Sequence, residues 1–187
     1  FAFFERFFTG LKILSLYLLK LILPIHLSAD YSYNSIPLVN NIFNSPLAVI
    51  GLLMLAVAIY LAFNNKISRE IKIGVVIFIL PYLVISNLIK PIGTIMGERL
   101  IYFSSLGFVL LLAFGISMLA RRIGSKPAYM TLAVILIIYA GLTIIRNKDW
   151  HDARTLFTAT VKESPNSLIT RTALAGVYIK DDQWDEA

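Results

Sequence analysis

The 187-residue chain contains no cysteine. Disulfides, thiolate metal sites and a cysteine nucleophile are therefore excluded. Charge is scarce as well: Asp, Glu, Lys and Arg make up 15% of the residues, against about a quarter in soluble domains, while 58% are hydrophobic. Mean hydropathy is +0.76. That balance rules out an ordinary soluble enzyme domain, a disordered tail and a coiled coil. It leaves an all-α, polytopic membrane protein carrying a small soluble appendage. Acidic residues are the scarcest charged class, 11 against 17 Lys and Arg, for a net charge of +6. Residues 1–145 hold 11 basic and 4 acidic side chains, and residues 146–187 hold 6 and 7. The positive surplus thus belongs to the hydrophobic part. Short cytoplasmic loops between spans give that pattern, and it calls for no nucleic-acid partner.

Four stretches free of charged residues have the length a bilayer crossing needs: Pro46–Phe63, 73–89, 100–120 and 128–145. A fifth, 7–27, is interrupted by Lys12 and Lys20. A lysine near the centre of a span costs on the order of 3 kcal/mol, so Lys20 is expected to snorkel or to face a polar cavity. Loops 64–72 and 121–127 are rich in Lys and Arg, with Lys66, Arg69 and Lys72 in one and Arg121, Arg122 and Lys126 in the other. The positive-inside rule puts both in the cytoplasm, and puts loops 26–45 and 90–99 and the C-terminal tail on the opposite side. Pro81 falls within the third span, where a kink is expected.

After residue 145 the pattern changes to charged residues with apolar ones at helical spacing. Trp150, Ala153 and Phe157 recur at three- and four-residue steps and Pro165 closes the segment; Leu174, Tyr178, Trp184 and Ala187 mark a second. Trp150 to Trp184 and Ala153 to Ala187 are both 34-residue intervals. That is the period of the tetratricopeptide repeat (TPR), in which small residues let paired helices approach and a proline ends the second helix. Residues 1–145 therefore read as a membrane bundle of five spans and residues 146–187 as the start of a TPR α-solenoid.

The polar residues with chemical potential gather on the outward side. His26 and Asp30 follow the first span with Tyr31, Ser32, Tyr33 and Asn34; Lys90, Glu98, Arg99 and Tyr102 stand at the join of loop 90–99 and the next span. Arg146, Asn147, Lys148, Asp149 and Trp150 follow the last span. Interfacial anchoring accounts for tyrosines at such positions, and capping accounts for a carboxylate at a helix start. His26 and Asp30 are too few to define a metal site.

The run Leu23-Pro24-Ile25-His26-Leu27-Ser28-Ala29-Asp30-Tyr31-Ser32-Tyr33 resembles an outer-loop motif of TMTC-type proteins. So does Gly97-Glu98-Arg99-Leu100-Ile101-Tyr102-Phe103-Ser104-Ser105-Leu106-Gly107-Phe108, followed by Arg146-Asn147-Lys148-Asp149-Trp150 and the repeat helices. Phe103-Ser104 stands where the family pattern typically has Leu-Pro. TMTC-type proteins join transmembrane helices to TPRs and are O-mannosyltransferases of the GT-C superfamily. The resemblance implies transfer of a hexose, mannose in this family, from a polyprenyl-phosphate donor to a protein hydroxyl on the non-cytoplasmic face, with the TPRs binding the acceptor. It implies Arg99 as the clamp on the donor phosphate, Lys90 as its second, Glu98 orienting Arg99, and His26, Asp30 or Tyr102 in the substrate pocket. A divalent cation beside the phosphate is left open.

The family's catalytic acid lies in an earlier outer loop, so it is expected upstream of Phe1. The chain is expected to be a piece of a longer protein that is inactive alone, since it starts at Phe1 rather than Met and stops at Ala187 inside a repeat. The competing reading is a non-enzymatic membrane anchor that displays a TPR scaffold for an envelope or secretion complex.

Overall fold

A computed structural model of the chain describes residues 3–32, 35–89, 91–181 and 183. Lys90, Trp184 and Ala187 lie outside the described residues, as do Tyr33 and Asn34. Among the described residues there is no strand. The α-helices are α1 (Phe3–Ile22), α2 (Pro46–Phe63), α3 (Arg69–Ile85), α4 (Tyr102–Ile123), α5 (Ser125–Asn147), α6 (Ala153–Glu163) and α7 (Leu168–Lys180). Short 3₁₀ turns precede α2 and α4 and follow α5.

Among the described residues, three helical stretches are long and apolar enough to cross a membrane: Pro46–Phe63, Glu98–Ile123 and Ser125–Trp150. Local sequence explains where each begins. Ser45 caps α2 through Ala48 N–H, with Pro46 in the first turn, where a missing N–H costs nothing. Gly124, at φ +95°, is the single residue between α4 and α5. A positive φ suits glycine, so the expected loop 121–127 contracts to one residue. Arg121 and Arg122 become the last turn of α4, where cations favour the helix dipole.

Two expected spans take different forms. The third ends at Ile85 rather than residue 89. Asn87 takes φ +60°, and its side chain accepts from Ile92 N–H at 2.8 Å and donates to the Thr94 carbonyl at 2.9 Å. Asparagine tolerates this conformation and turns the chain there. Pro81 lies inside α3, as the sequence places it.

The first expected span, 7–27, becomes α1, which stops at Ile22 because Pro24 pushes Leu23 out of helical geometry. Glu5, Arg6, Lys12 and Lys20 keep α1 out of the apolar set, and its buried residues, from Thr9 to Tyr17, wrap most of the way round its middle turns. Both halves of the helix touch segments from one end of the bundle. Thr9 accepts from Val39 N–H at 3.0 Å, the Tyr82 hydroxyl donates to the Gly10 carbonyl, and Ser15 donates to the Leu47 carbonyl at 2.8 Å. Tyr17 meets Gly97 and Lys20 meets Glu98.

Close approach elsewhere rests on glycines. A Cβ on Gly51 would lie 1.9 Å from the Leu11 carbonyl oxygen, and one on Gly107 would lie 2.4 Å from Phe78 N. Helices α1 and α2, and α3 and α4, therefore meet backbone to backbone. The core between them contains Ile13, Leu14, Tyr17, Phe78, Tyr82 and Met96.

Helix α6 begins with a capping box between Asp152 and Thr155. It ends at Glu163, two residues before Pro165, and Ser167 caps α7. The pair is held side by side, with the Arg154 guanidinium 5.2 Å from the centre of the Tyr178 ring. Phe157, Leu174 and Tyr178 are half-buried between these helices and their surroundings, whereas Ala153, Pro165 and Trp150 are exposed. Trp150 belongs to the 3₁₀ turn before α6 rather than to the helix.

Candidate functional site

One end of the bundle collects the C-terminus of α1, the segment 23–32 with Ser35 and Ile36, the 3₁₀ turn Glu98–Ile101, the end of α5 and the α6–α7 connection. The site is built outward from Tyr17. Its hydroxyl donates to the Gly97 carbonyl and accepts from Gly97 N–H, both at 3.0 Å, which fixes the residue before Glu98. Glu98 Oε1 then accepts from Ser28 N–H at 2.8 Å and from the Tyr31 hydroxyl at 2.6 Å. The Tyr31 phenol is buried and bonded to a carboxylate, so its pKa is pushed up, first by burial and then by Glu98. The tyrosine is an internal strut, not an exposed interfacial anchor.

Lys20 completes this group. Its Nζ donates to the His26 carbonyl at 2.7 Å, lies 3.9 Å from Glu98 Oε1 and sits 5.2 Å from the centre of the Tyr31 ring. The side chain is 18% exposed and lines a cleft of about 250 Å³ with His26, Tyr31, Met96, Glu163 and Asn166. Of the two outcomes expected for Lys20, snorkelling or facing a polar cavity, the side chain takes the cleft.

A second set of contacts ties segment 26–32 to the α6–α7 connection. His26, at φ +54°, places Nδ1 3.1 Å from Glu163 Oε2. Ser164 Oγ donates to Ser28 Oγ at 2.9 Å. Ser167 Oγ donates to Asp30 Oδ2 at 2.6 Å, and Ser32 donates to the same oxygen through both N–H and hydroxyl. Ser28, Ser164, Ser167 and Thr170 are all buried. Burial pushes the Asp30 carboxyl up, but the hydrogen bonds from Ser167 and Ser32, with the charge of Arg99, outweigh it and hold the group below the usual carboxylate range.

The residues expected from sequence are therefore drawn together unevenly. His26, Asp30 and Glu98 all belong to or meet segment 26–32, and one polar atom of each, Nδ1, Oδ2 and Oε1, is engaged in holding the structure. Glu98 was expected to orient Arg99; its Oε1 accepts from Ser28 and Tyr31. Arg99 is exposed, and Tyr102 is 74% exposed with its ring edge-on to Phe103. Lys90 falls outside the described residues. Among the described residues, no three His, Cys, Asp or Glu side chains are grouped to hold a metal ion.

Sequence reasoning did not assign a role at this end to Ser28, Glu163, Ser164 or Ser167, whose partners are remote in sequence. Arg146 was noted, and the structure pairs it with Asp149 at 2.8 Å. The same two residues line a cleft of about 350 Å³ with His26, Leu142, Lys162 and Glu163. The His26–Glu163 pair borders both clefts.

Against known proteins, the chain is 28% identical over 170 residues to Protein O-mannosyl-transferase TMTC1 of Homo sapiens, covering 87% of this chain and 19% of that protein. It is 32% identical over 150 residues to Protein O-mannosyl-transferase Tmtc3 of Drosophila melanogaster, covering 75% and 16%. The chain is TMTC-type in sequence. A third TMTC relative, TMTC4 of Mus musculus, is 29% identical over 151 residues, covering 78% of the chain. The TMTC-type chain spans a fifth or less of the length of these relatives. No family model matches it, and no solved structure matches it.

Proposed function

We propose that the chain forms part of a membrane glycosyltransferase that moves a mannose from a polyprenyl-phosphate donor to a Ser or Thr hydroxyl of a protein on the non-cytoplasmic face. The observation that carries this reading is the similarity to proteins named O-mannosyl-transferases, which extends over 75–87% of the chain in the human TMTC1 and fly Tmtc3 matches.

Charge placement supports the sidedness. Lys66, Arg69 and Lys72 lie at the α2–α3 turn, and Arg121, Arg122 and Lys126 at the α4–α5 turn, opposite in chain order to the polar end. By the positive-inside rule the basic end is cytoplasmic and the polar end, with loops 26–45 and 90–99 and the tail, faces outward. In this reading α2 to α5 cross the membrane. Helix α1, with both halves against outer-end segments, lies across that end, so four spans replace the five expected from hydropathy.

Sugar transfer from a lipid phosphate needs cations for the leaving phosphate and a carboxylate for the acceptor hydroxyl. Lys20 and Arg99 supply cations at this end, Arg99 being the clamp that the sequence suggests. Glu98 is a positioning residue, since it holds Tyr31 and Ser28. No residue of the chain is assigned as the base. Helices α6 and α7, read as the start of a TPR array, present the acceptor from the outward side. The test is transfer of labelled mannose from polyprenyl-phosphate mannose to protein by the full-length protein in membranes. Transfer that depends on the intact protein is expected. A folded, membrane-inserted protein that transfers nothing favours the scaffold reading.

A further inference from the structure

Arg6, Gly10, Ile13, Tyr17 and Lys20 follow one another at three- and four-residue steps, so they form one row along α1 with a cation at each end. Residues 94–98 run beside that row. Thr94 and Ile95 line a pocket with Arg6, Gly97 N–H donates to the Tyr17 hydroxyl, and Glu98 Oε1 lies 3.9 Å from Lys20 Nζ. The two cations are provided for differently. Lys20 has Glu98 as its counter-charge. Arg6 has no ion-pair partner among the described residues, and its Nε is buried without a hydrogen bond.

The pocket beside Arg6 has a volume of about 250 Å³ and lies between the first turns of α1, Leu38 and the segment after α3. Arg6 is the one ionisable side chain among the described residues that line it. Glu5, the preceding residue, stands roughly 100° round the helix and is not in the lining. Two neutral donors join the guanidinium. Asn87 Nδ2 uses one hydrogen for the Thr94 carbonyl and keeps a second, and Thr9 Oγ1 accepts from Val39 N–H, which leaves its own proton for another acceptor. Buried donors rarely stay without a partner in native proteins. A lining of donors with a net positive charge and no carboxylate suits an anion, and a guanidinium fork matches the paired oxygens of a phosphate.

The surroundings point to the source of that phosphate. Phe3 and Phe4 on the first turn of α1, Leu38 in the lining, and Ile92 between two lining residues are all exposed. Apolar side chains next to a cation at the end of a membrane bundle match the level of lipid headgroups.

We propose that the Arg6 pocket binds the phosphate group of a lipid at the membrane surface, with the guanidinium on the phosphate oxygens and Asn87 and Thr9 as neutral donors. Its lining shares no residue with the clefts around Lys20 and Arg146. The proposal depends on this end of the bundle lying at a membrane surface and not on sugar transfer. A bulk phospholipid and a polyprenyl phosphate offer the same group, so the probes separate them.

The test is isothermal titration calorimetry of the full-length protein in a maltoside detergent, which carries no phosphate. The probes are farnesyl phosphate, dihexanoyl phosphatidylglycerol, inorganic phosphate and decanoate. Saturable binding of a lipid phosphate is expected, weakened about tenfold in Arg6→Met, the factor that loss of one charged hydrogen bond gives. Arg6→Lys keeps the charge without the fork and is expected to fall between the two. Leu38→Trp fills the pocket from an exposed position with Arg6 in place, and it too is expected to lose binding. Lys66→Met, at the opposite basic end, is expected to bind like the wild type. Tighter binding of farnesyl phosphate assigns the site to an isoprenoid lipid, and tighter binding of phosphatidylglycerol assigns it to bulk phospholipid. Four results overturn the proposal: no saturable binding, binding unchanged in Arg6→Met or in Leu38→Trp, inorganic phosphate as tight as the lipids, or decanoate as tight as the phosphates.

Discussion

Ser167 Oγ donates to Asp30 Oδ2 at 2.6 Å, joining the cap of α7 to a loop 137 positions earlier in the chain. The same hydroxyl accepts from Thr170 N–H at 3.2 Å, so one buried serine ends a helix and docks it. Asp30 is therefore a docking residue, and the adjacent Ser28–Ser164 and His26–Glu163 contacts make the attachment a seam rather than a point.

Replacing Asp30 by Ala removes a charged acceptor from Ser167 and Ser32 and is expected to destabilise the docked tail by about 2 kcal/mol. The check is hydrogen exchange at the α7 N-terminus, where protection should fall while the α3–α4 amides stay protected. Uniform loss of protection across the bundle contradicts a local seam.

The same contact carries a pH dependence. The Asp30 carboxyl lies below its ordinary value of 3.8, so its contribution is fully present above that pH and is lost as pH falls through the lower folded value. The mobility of a spin label on α7 should be constant through the neutral range and rise only in strong acid. A rise centred in the histidine range instead assigns the docking to His26 and Glu163.

Glu98→Gln keeps the shape of the side chain but turns a charged acceptor into a neutral one for Tyr31 and Ser28. A loss of about 1 kcal/mol is expected. Thermal unfolding in detergent measures it, and Tyr31→Phe combined with Glu98→Gln should cost less than the sum of the two single changes. Full additivity contradicts the Tyr31–Glu98 bond.

Gly107→Ala places a Cβ 2.4 Å from Phe78 N and 2.5 Å from the Gly74 carbonyl oxygen, and neither backbone atom can rotate away. A loss of about 1–3 kcal/mol is expected in the same melting experiment. Gly115→Ala meets nothing within 4 Å and is expected to be neutral or slightly stabilising.

Much of the helical order was legible in the sequence because span length and charge are local properties. Pro46–Phe63 is both an expected span and an observed helix, and the α4 and α5 spans are recovered with their ends shifted. Hydropathy misplaced the ends where a single residue outweighs a window average, as at Asn87 and Gly124. The charged residues of α1 keep it out of the set that length and apolar content mark as membrane-capable, which a stretch chosen by its apolar run alone did not reveal. The candidate site was half legible. His26, Asp30 and Glu98 were singled out, and Glu98 does meet the loop that carries the other two, but the contacts that bring these segments together link residues 67 to 137 apart in chain order, as Tyr31–Glu98 and Asp30–Ser167 show. No periodicity encodes such pairs.

The central claim is that this TMTC-type chain belongs to a sugar-transferring membrane enzyme. The most direct measurement is the rate of mannose transfer from polyprenyl-phosphate mannose to a protein acceptor by the full-length protein, wild type against Lys20→Met. Lys20 stands at the heart of the polar end, and methionine preserves its length without the charge. The account predicts measurable transfer by the wild type and a loss of roughly tenfold or more in the variant, as removal of one charged contact gives. Absence of transfer by a folded wild-type protein, or equal rates for the two, contradicts it.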